Sequence, residues 1–151
     1  MLYFAAVVAF ILSCASKFLA DAYLSSRIPV IGSFAGFQYA TNPGVAFSIT
    51  FPGPLQNIFI GAALCALIWA AFHATTVWSR VAFGMIIGGA LGNIADRTLD
   101  GLVTDFIQVG RFPIFNVADS CITVGVGLLV IEAMMQWWEK RLQDSKIRSQ
   151  A

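Results

Sequence analysis

The stretch VAFGMIIGGALGNIA, residues 81–95, decides the fold, because glycines recur along it inside an otherwise apolar run. The glycines are Gly84, Gly88, Gly89 and Gly92, and spacings of three or four positions join Gly84 to Gly88, Gly88 to Gly92 and Gly89 to Gly92. Residues at that spacing share one face of a helix, and small side chains there let another membrane helix approach the backbone closely. We therefore predict a tightly packed membrane helix that takes its ends from flanking polar residues.

Three further apolar runs surround this one, at residues 2–20, 55–72 and 117–138. A spanning helix needs about 20 mostly apolar residues. The whole chain is 58% hydrophobic and 11% charged, far from the roughly one-quarter charged content of soluble domains. We predict an all-α membrane protein, a single domain built as a four-transmembrane-helix bundle. Since no basic residue precedes the first run and no cleavage site clearly ends it, we interpret it as a retained helix.

The connection between the first two helices differs in composition from the rest of the chain. It carries four of the five prolines, and its segment SFAGFQYA, residues 33–40, is aromatic and interrupted by glycine, as short strands are. We expect a small β-rich platform at the membrane surface, over about residues 27–54. The other long connection, residues 96–116, is rich in charge.

Basic residues near helix ends predict the orientation of the bundle. Four helices place both termini on one side, and that side collects one more basic residue than the other, five against four. The five are Arg80, Lys140, Arg141, Lys146 and Arg148, and the four are Lys17, Arg27, Arg97 and Arg111. The count favours cytoplasmic termini, an outward platform, and Trp137 and Trp138 at the inner interface.

Two aspartates carry the candidate chemistry. Asp119 begins the fourth helix, where it is either a carboxylate stabilised by the helix N-terminus or a functional group, since ionisable residues at membrane depth are costly. Asp105 lies in the apolar segment VTDFI, on the same side of the membrane in either orientation. If the two carboxyl groups meet, one of them holds a proton. The ionised group can then accept a proton from water, while the protonated group polarises a peptide carbonyl. Intramembrane proteolysis is therefore the leading hypothesis.

Other chemistries fit the sequence poorly. The single histidine, His73, falls at the opposite end of the second helix, so neither a nucleophile triad nor a metal site has the residues it needs. The three cysteines sit in apolar runs without ligand spacing and are interpreted as small buried residues. A net charge of +1 gives no reason to expect a nucleic-acid partner. We expect neither metal nor cofactor.

Three blocks along the chain resemble the lipoprotein signal peptidase family, signal peptidase II. They are NPGVAFS at residues 42–48, GALGNIADRTLDGLVTDF at 89–106 and FNVAD at 115–119. The resemblance implies a bacterial inner-membrane aspartyl endopeptidase that removes the signal peptide of prolipoproteins just before a diacylglyceryl-modified cysteine. It implies that Asp105 and Asp119 are catalytic, with the active site on the periplasmic side, and that the partners are lipidated prolipoprotein and membrane lipid. A monomer is expected.

The resemblance also assigns supporting roles, in binding substrate or holding the dyad. The residues concerned are Asn42, Gly44, Asn93, Arg97, Asn116 and Lys17. For Arg97, holding an acidic partner or a lipid-side carbonyl competes with a structural ion pair to Asp96 or Asp100.

The chain departs from the family in its first helix. The family motif Asp-Gln-x-Ser/Thr-Lys is replaced by SCASK at residues 13–17, so Lys17 lacks the usual acid and Asp21 is a candidate substitute. Two alternatives stay open beside the peptidase, the first suggested by this departure and the second by the two aspartates themselves. One is a catalytically silent, lipopeptide-binding relative, and the other is a small membrane protein that translocates protons or ions.

Overall fold

The described part of the chain forms four helices and three strands. The computed structural model describes residues 1–44, 51 and 54–150. The elements in chain order are α1 (Leu2–Tyr23), β1 (Ile28–Ile31), β2 (Ala35–Asn42), α2 (Leu55–Phe72), α3 (Val77–Asp100), β3 (Val103–Val109) and α4 (Val117–Gln150). Each helix is long and apolar enough to cross a membrane. The predicted four-helix membrane fold with a small sheet is confirmed.

Helix lengths differ from the apolar runs because capping groups, and not hydropathy alone, set where a helix ends. The bounds of α2 agree with the prediction, whereas the other three helices are longer. In α3, Thr76 Oγ1 accepts a hydrogen bond from Ser79 N at 3.0 Å, and Gly101 ends the helix with a φ of 85°. With 24 residues, α3 is long enough to span, and it takes in the flanking polar residues as predicted, among them Ser79, Arg80 and Asp96. The charged tail of α4 continues the helix because it consists mostly of good helix formers.

The glycines of α3 place this helix against both α1 and α4. A Cβ atom built on Gly88 would lie 2.3 Å from the carbonyl oxygen of Ala6 in α1. One built on Gly89 would lie 2.6 Å from the carbonyl oxygen of Ala118 in α4. Because real Cβ atoms cannot approach an oxygen so closely, the predicted role of these glycines in close helix packing is confirmed.

The platform is an antiparallel sheet in the order β1-β2-β3. Only β1 and β2 come from the predicted stretch, while β3 comes from the charged connection and was not predicted. The first four residues of β3 are all buried, so the strand lacks the alternation by which strands are recognised. Pairing of Ala40 with Asp105, and of Asn42 with Val103, brings the end of β2 beside the first candidate aspartate. Residues 45–50 and 52–53 of the predicted platform lie outside the described residues.

A methyl group at Gly88 tests the close approach of α3 to α1. We expect Gly88→Ala to lower the stability of the detergent-solubilised protein by about 1–3 kcal/mol, the usual cost of overpacking. Gly127→Ala in α4 is the matched control, because among the described residues no heavy atom outside its own stretch of helix lies within 4 Å of its added Cβ. The measurement is the thermal unfolding midpoint by circular dichroism. Equal midpoints for the two variants would contradict the packing described for α3.

Candidate active site

Asp105 and Asp119 come from two elements that a short backbone ladder ties together. Asp105 lies in β3 and Asp119 in the first turn of α4. In the connection between them, Ile107 N donates to Phe115 O at 2.7 Å, and Phe115 N donates to Ile107 O at 3.1 Å. This pairing turns the chain back on itself, so the two aspartates reach the same end of the helix bundle.

Asn116 contacts both carboxylates. Its side chain is fully buried, and its Nδ2 donates to Asp105 Oδ1 at 2.7 Å and to Asn93 Oδ1 at 3.1 Å. Its backbone N donates to Asp119 Oδ2 at 3.1 Å. One residue therefore holds both acids, and the predicted dyad residues lie in a single site.

Asp119 both caps its helix and faces the site. While Asp119 Oδ2 accepts from the backbone of Asn116, Asn116 Oδ1 accepts from Asp119 N at 3.1 Å, which is the reciprocal pattern of a capping box. The second carboxylate oxygen, Oδ1, accepts from Asn93 Nδ2 at 2.9 Å. The two interpretations offered for Asp119 are therefore compatible, because each uses a different oxygen.

Asp105 is held in a buried environment that favours its protonated form. Its exposed fraction is 4%. Burial, followed by the nearby charge of Asp119, raises the pKa of Asp105 to about 6, while hydrogen bonds from Asn116 and Asn42 and the charge of Lys17 oppose the rise. One carboxyl group in the site thus keeps its proton to a higher pH than an ordinary aspartate does.

Lys17 reaches across the interface between α1 and α3. Its Nζ donates to Asn93 Oδ1 at 2.6 Å and lies 3.2 Å from Asp96 Oδ2. The expectation that Asp21 would pair with Lys17 is wrong. Asp21 lies on the exposed part of α1 and accepts from Thr104 Oγ1 at 3.2 Å, whereas Lys17 faces α3 and finds its acid there.

Arg97 binds a backbone carbonyl. Its Nη2 donates to Gly44 O at 2.6 Å, and Gly44 N in turn donates to Asn42 Oδ1 at 2.9 Å. Within the described ranges Arg97 forms no ion pair with Asp96 or Asp100, because Asp96 pairs with Lys17 and Asp100 Oδ1 accepts from the backbone of Leu102. Arg97 thereby connects α3 to the end of β2.

The site opens into a groove of about 660 Å³ between α3, α4 and the sheet. Six of the predicted site residues line it, namely Asn42, Gly44, Asn93, Arg97, Asp105 and Asp119. Lys17 and Asn116 are buried behind them. Apolar side chains such as Ile94 and Val124 extend the groove along the helices, so the acids sit at its polar end.

The sequence interpretation did not assign Asp96 or Thr104 to the site. Asp96 Oδ2 accepts from Thr104 N at 2.6 Å in addition to pairing with Lys17. The spacing of Asp96, three residues after Asn93, was a usable signal because residues at that spacing share a helix face. Thr104 contributes through its backbone and gave no side-chain signal.

Comparisons with known proteins show similarity along most of the chain. The lipoprotein signal peptidase of Chlorobaculum tepidum is 36% identical over 149 residues, which cover 87% of this chain and 92% of that protein. The lipoprotein signal peptidase of Desulfitobacterium hafniense is 44% identical over 119 residues, covering 75% and 78%. A bacterial membrane enzyme solved by the in meso method at 2.3 Å resolution superposes with a TM-score of 0.80 at 32% identity, over 91% of this chain and 89% of that one.

Four spanning helices, taken with these relatives, show a multi-pass bacterial membrane enzyme of the aspartic peptidase class. The family model of signal peptidase (SPase) II matches residues 5–135. The chain belongs to the signal peptidase II family.

Removing the carboxyl group of Asp105 tests its raised pKa. Because the folded-state pKa lies above the ordinary 3.8, the folded protein binds this proton more tightly, and stability is lost as pH rises from about 4 to about 6. The full loss corresponds to about 3 kcal/mol. We expect Asp105→Asn to unfold at a higher temperature than wild type at about pH 8, with the gain vanishing near pH 4.

Asp119→Asn is the control for this measurement. It disturbs a capping interaction, so no gain in the unfolding temperature is expected. A gain for Asp105→Asn that does not change with pH would show that its carboxyl group titrates normally.

Proposed function

We propose that this chain is an intramembrane aspartyl endopeptidase that removes signal peptides from diacylglyceryl-modified prolipoproteins just before the lipidated cysteine. The observation that carries the proposal is the convergence of Asp105 and Asp119 on Asn116, at the polar end of an apolar groove. Membership of the signal peptidase II family and the names of the relatives support the substrate class.

The two acids divide the work of peptide hydrolysis. Asp105, whose pKa is raised to about 6, is the protonated member and donates a hydrogen bond to the carbonyl oxygen of the scissile bond. Both oxygens of Asp119 accept N–H hydrogen bonds, which suits the ionised member. Asp119 takes a proton from the attacking water and passes it to the departing amine as the tetrahedral intermediate collapses.

Neighbouring polar groups position the substrate. Asn42 Oδ1 is occupied by Gly44 N, so its Nδ2 is left to face Asp105 and the substrate backbone. Arg97 holds the segment that follows β2 through Gly44 O. The lipid chains of the substrate lie in the bilayer beside the apolar part of the groove, and the platform rests against the lipid headgroups.

The enzyme is placed in the bacterial inner membrane with both termini in the cytoplasm. The basic residues near the helix ends support that orientation. The sheet and the two aspartates then face the periplasm, where Asp105 and Asp119 meet the scissile bond. In this proposal the enzyme acts as a monomer.

Ion translocation has less support. A relay needs acidic groups spread through the depth of the bilayer. Asp96, Asp105 and Asp119 instead share one end of the bundle, while Glu132 further along α4 accepts a hydrogen bond from Thr76 at the start of α3. A binding-only relative is distinguished from an enzyme by the cleavage assay below.

Isosteric amides test the dyad. We expect Asp105→Asn and Asp119→Asn each to abolish cleavage of a diacylglyceryl-modified precursor by the purified protein, because neither variant can share the catalytic proton. The readout is a gel shift of the precursor, with Asp144→Asn in the exposed tail as the matched control. Wild-type turnover by either dyad variant, or no turnover by wild type, would contradict the proposal.

Cysteine labelling tests the orientation. In a background without the native cysteines, we expect Ser25→Cys beside the sheet to react with a membrane-impermeant maleimide in spheroplasts. We expect Gln143→Cys in the tail of α4 to react only after the membrane is permeabilised. Both positions are exposed in the structure, so accessibility depends on the side of the membrane. The reverse pattern would place the active site in the cytoplasm.

A further inference from the structure

Lys17 is the most deeply buried cation among the described residues, with an exposed fraction of 3%. Three acceptors of α3 surround its ammonium group. They are Asn93 Oδ1 at 2.6 Å, Asp96 Oδ2 at 3.2 Å and Gly92 O at 3.4 Å. Among the described residues that line the groove neither Lys17 nor Asp96 is found, so any influence on the reaction acts through other residues.

One line of contacts runs from Lys17 to Asp119. The amide oxygen of Asn93 accepts from both Lys17 Nζ and Asn116 Nδ2, which leaves its Nδ2 to donate to Asp119 Oδ1 at 2.9 Å. A flip of this amide would put its NH₂ group against the ammonium group and the Asn116 NH₂, so only one orientation satisfies every partner. Lys17 thereby sets the direction of the donor that holds Asp119.

A second line of contacts runs from Lys17 to Asp105. Asp96 Oδ2, which pairs with Lys17, also accepts from Thr104 N at 2.6 Å. Thr104 directly precedes Asp105 in β3, so the position of this peptide group determines where the Asp105 side chain starts. The same carboxylate oxygen therefore connects the buried cation to the strand that carries the other acid.

We propose that the Lys17–Asp96 ion pair is a positioning device that holds both aspartates at once, Asp119 through Asn93 and Asp105 through the Thr104 backbone. The proposal rests on the proposed function and adds Asp96 to the residues on which catalysis depends. Lys17 and Asp96 are positioning residues, since neither touches the substrate.

A purely structural pair would behave differently when both charges are removed. Breaking a buried pair by one substitution leaves an uncompensated charge and is strongly destabilising, whereas replacing both partners is often neutral. If the pair served folding alone, the double replacement would recover stability and activity together. If the pair positions the two acids, the double variant recovers stability but not activity, because Asp105 and Asp119 stay misplaced.

The test compares Lys17→Met, Asp96→Ala and the double variant in the lipidated-precursor assay. We expect each single variant to unfold at a lower temperature and the double variant to recover much of that loss. We expect kcat of all three to stay on the order of 10²-fold below wild type, the cost of a small misplacement of catalytic groups. KM should change little, because the groove is intact. Lys140→Met and Asp144→Asn in the exposed tail are the matched controls.

The pH dependence of kcat/KM distinguishes a positioning role from a purely structural one, because a purely structural role would leave it unchanged. The charged groups around Asp105 are Lys17 from α1, Asp96 and Arg97 from α3, and Asp119 from α4. Loss of the Lys17 charge makes Asp105 hold its proton more tightly, so the profile of kcat/KM should move to higher pH in Lys17→Met. Lys17→Arg, which keeps the charge, should retain the wild-type profile.

Each outcome has a defined meaning. If wild type cleaves the precursor and the double variant matches it in kcat, or if Lys17→Met keeps the wild-type pH profile, the positioning role is wrong and the proposed function stands. If wild type does not cleave the precursor, the proposed function itself fails.

Discussion

The close approach of α3 to its neighbours is the constraint on which the other features depend. Gly88 brings α3 against α1, and Gly89 brings it against the start of α4. At those separations the polar residues at the end of α3 come within hydrogen-bonding distance of both neighbours. Asn93 consequently bonds Lys17 on one side and Asp119 on the other. Larger side chains would separate the helices and break these contacts, so packing in the apolar part of the bundle determines the geometry of its polar end.

Charge balance within this polar end favours a dyad that keeps one proton. Two cations, Lys17 and Arg97, lie near three carboxyl groups, Asp96, Asp105 and Asp119. With all three ionised, the cluster would carry one negative charge in a largely buried place, which is costly. A single proton neutralises it. Burial places that proton on Asp105 more readily than its ordinary pKa would allow.

The sequence predicted what depends on local composition and on motifs, and missed what depends on contacts between distant segments. Apolar runs predicted four helices and the glycine spacing predicted close packing of α3, because both are repeated local signals, but the spacing did not show that the glycines face two different helices. The lone carboxylates gave Asp105 and Asp119 as candidates. The partner of Lys17 was not predictable, since Asp96 is 79 residues away in the chain and becomes its neighbour only when α1 packs on α3. Strand β3 was missed because burial of successive residues removes the alternating pattern.

Asp119 shows why the structural and functional interpretations of a single residue need not compete. A carboxylate has two oxygens, and here one belongs to the capping box that begins α4 while the other faces the site. The capping bond fixes Oδ2 of the Asp119 side chain to the helix terminus and restricts rotation of the side chain. Oδ1 therefore faces the site in a defined direction. Asn116 takes part in both arrangements, because its backbone and side-chain oxygen serve the cap and its amide nitrogen serves Asp105. The first turn of α4 therefore both begins the helix and fixes the positions of Asp105 and Asp119 relative to each other.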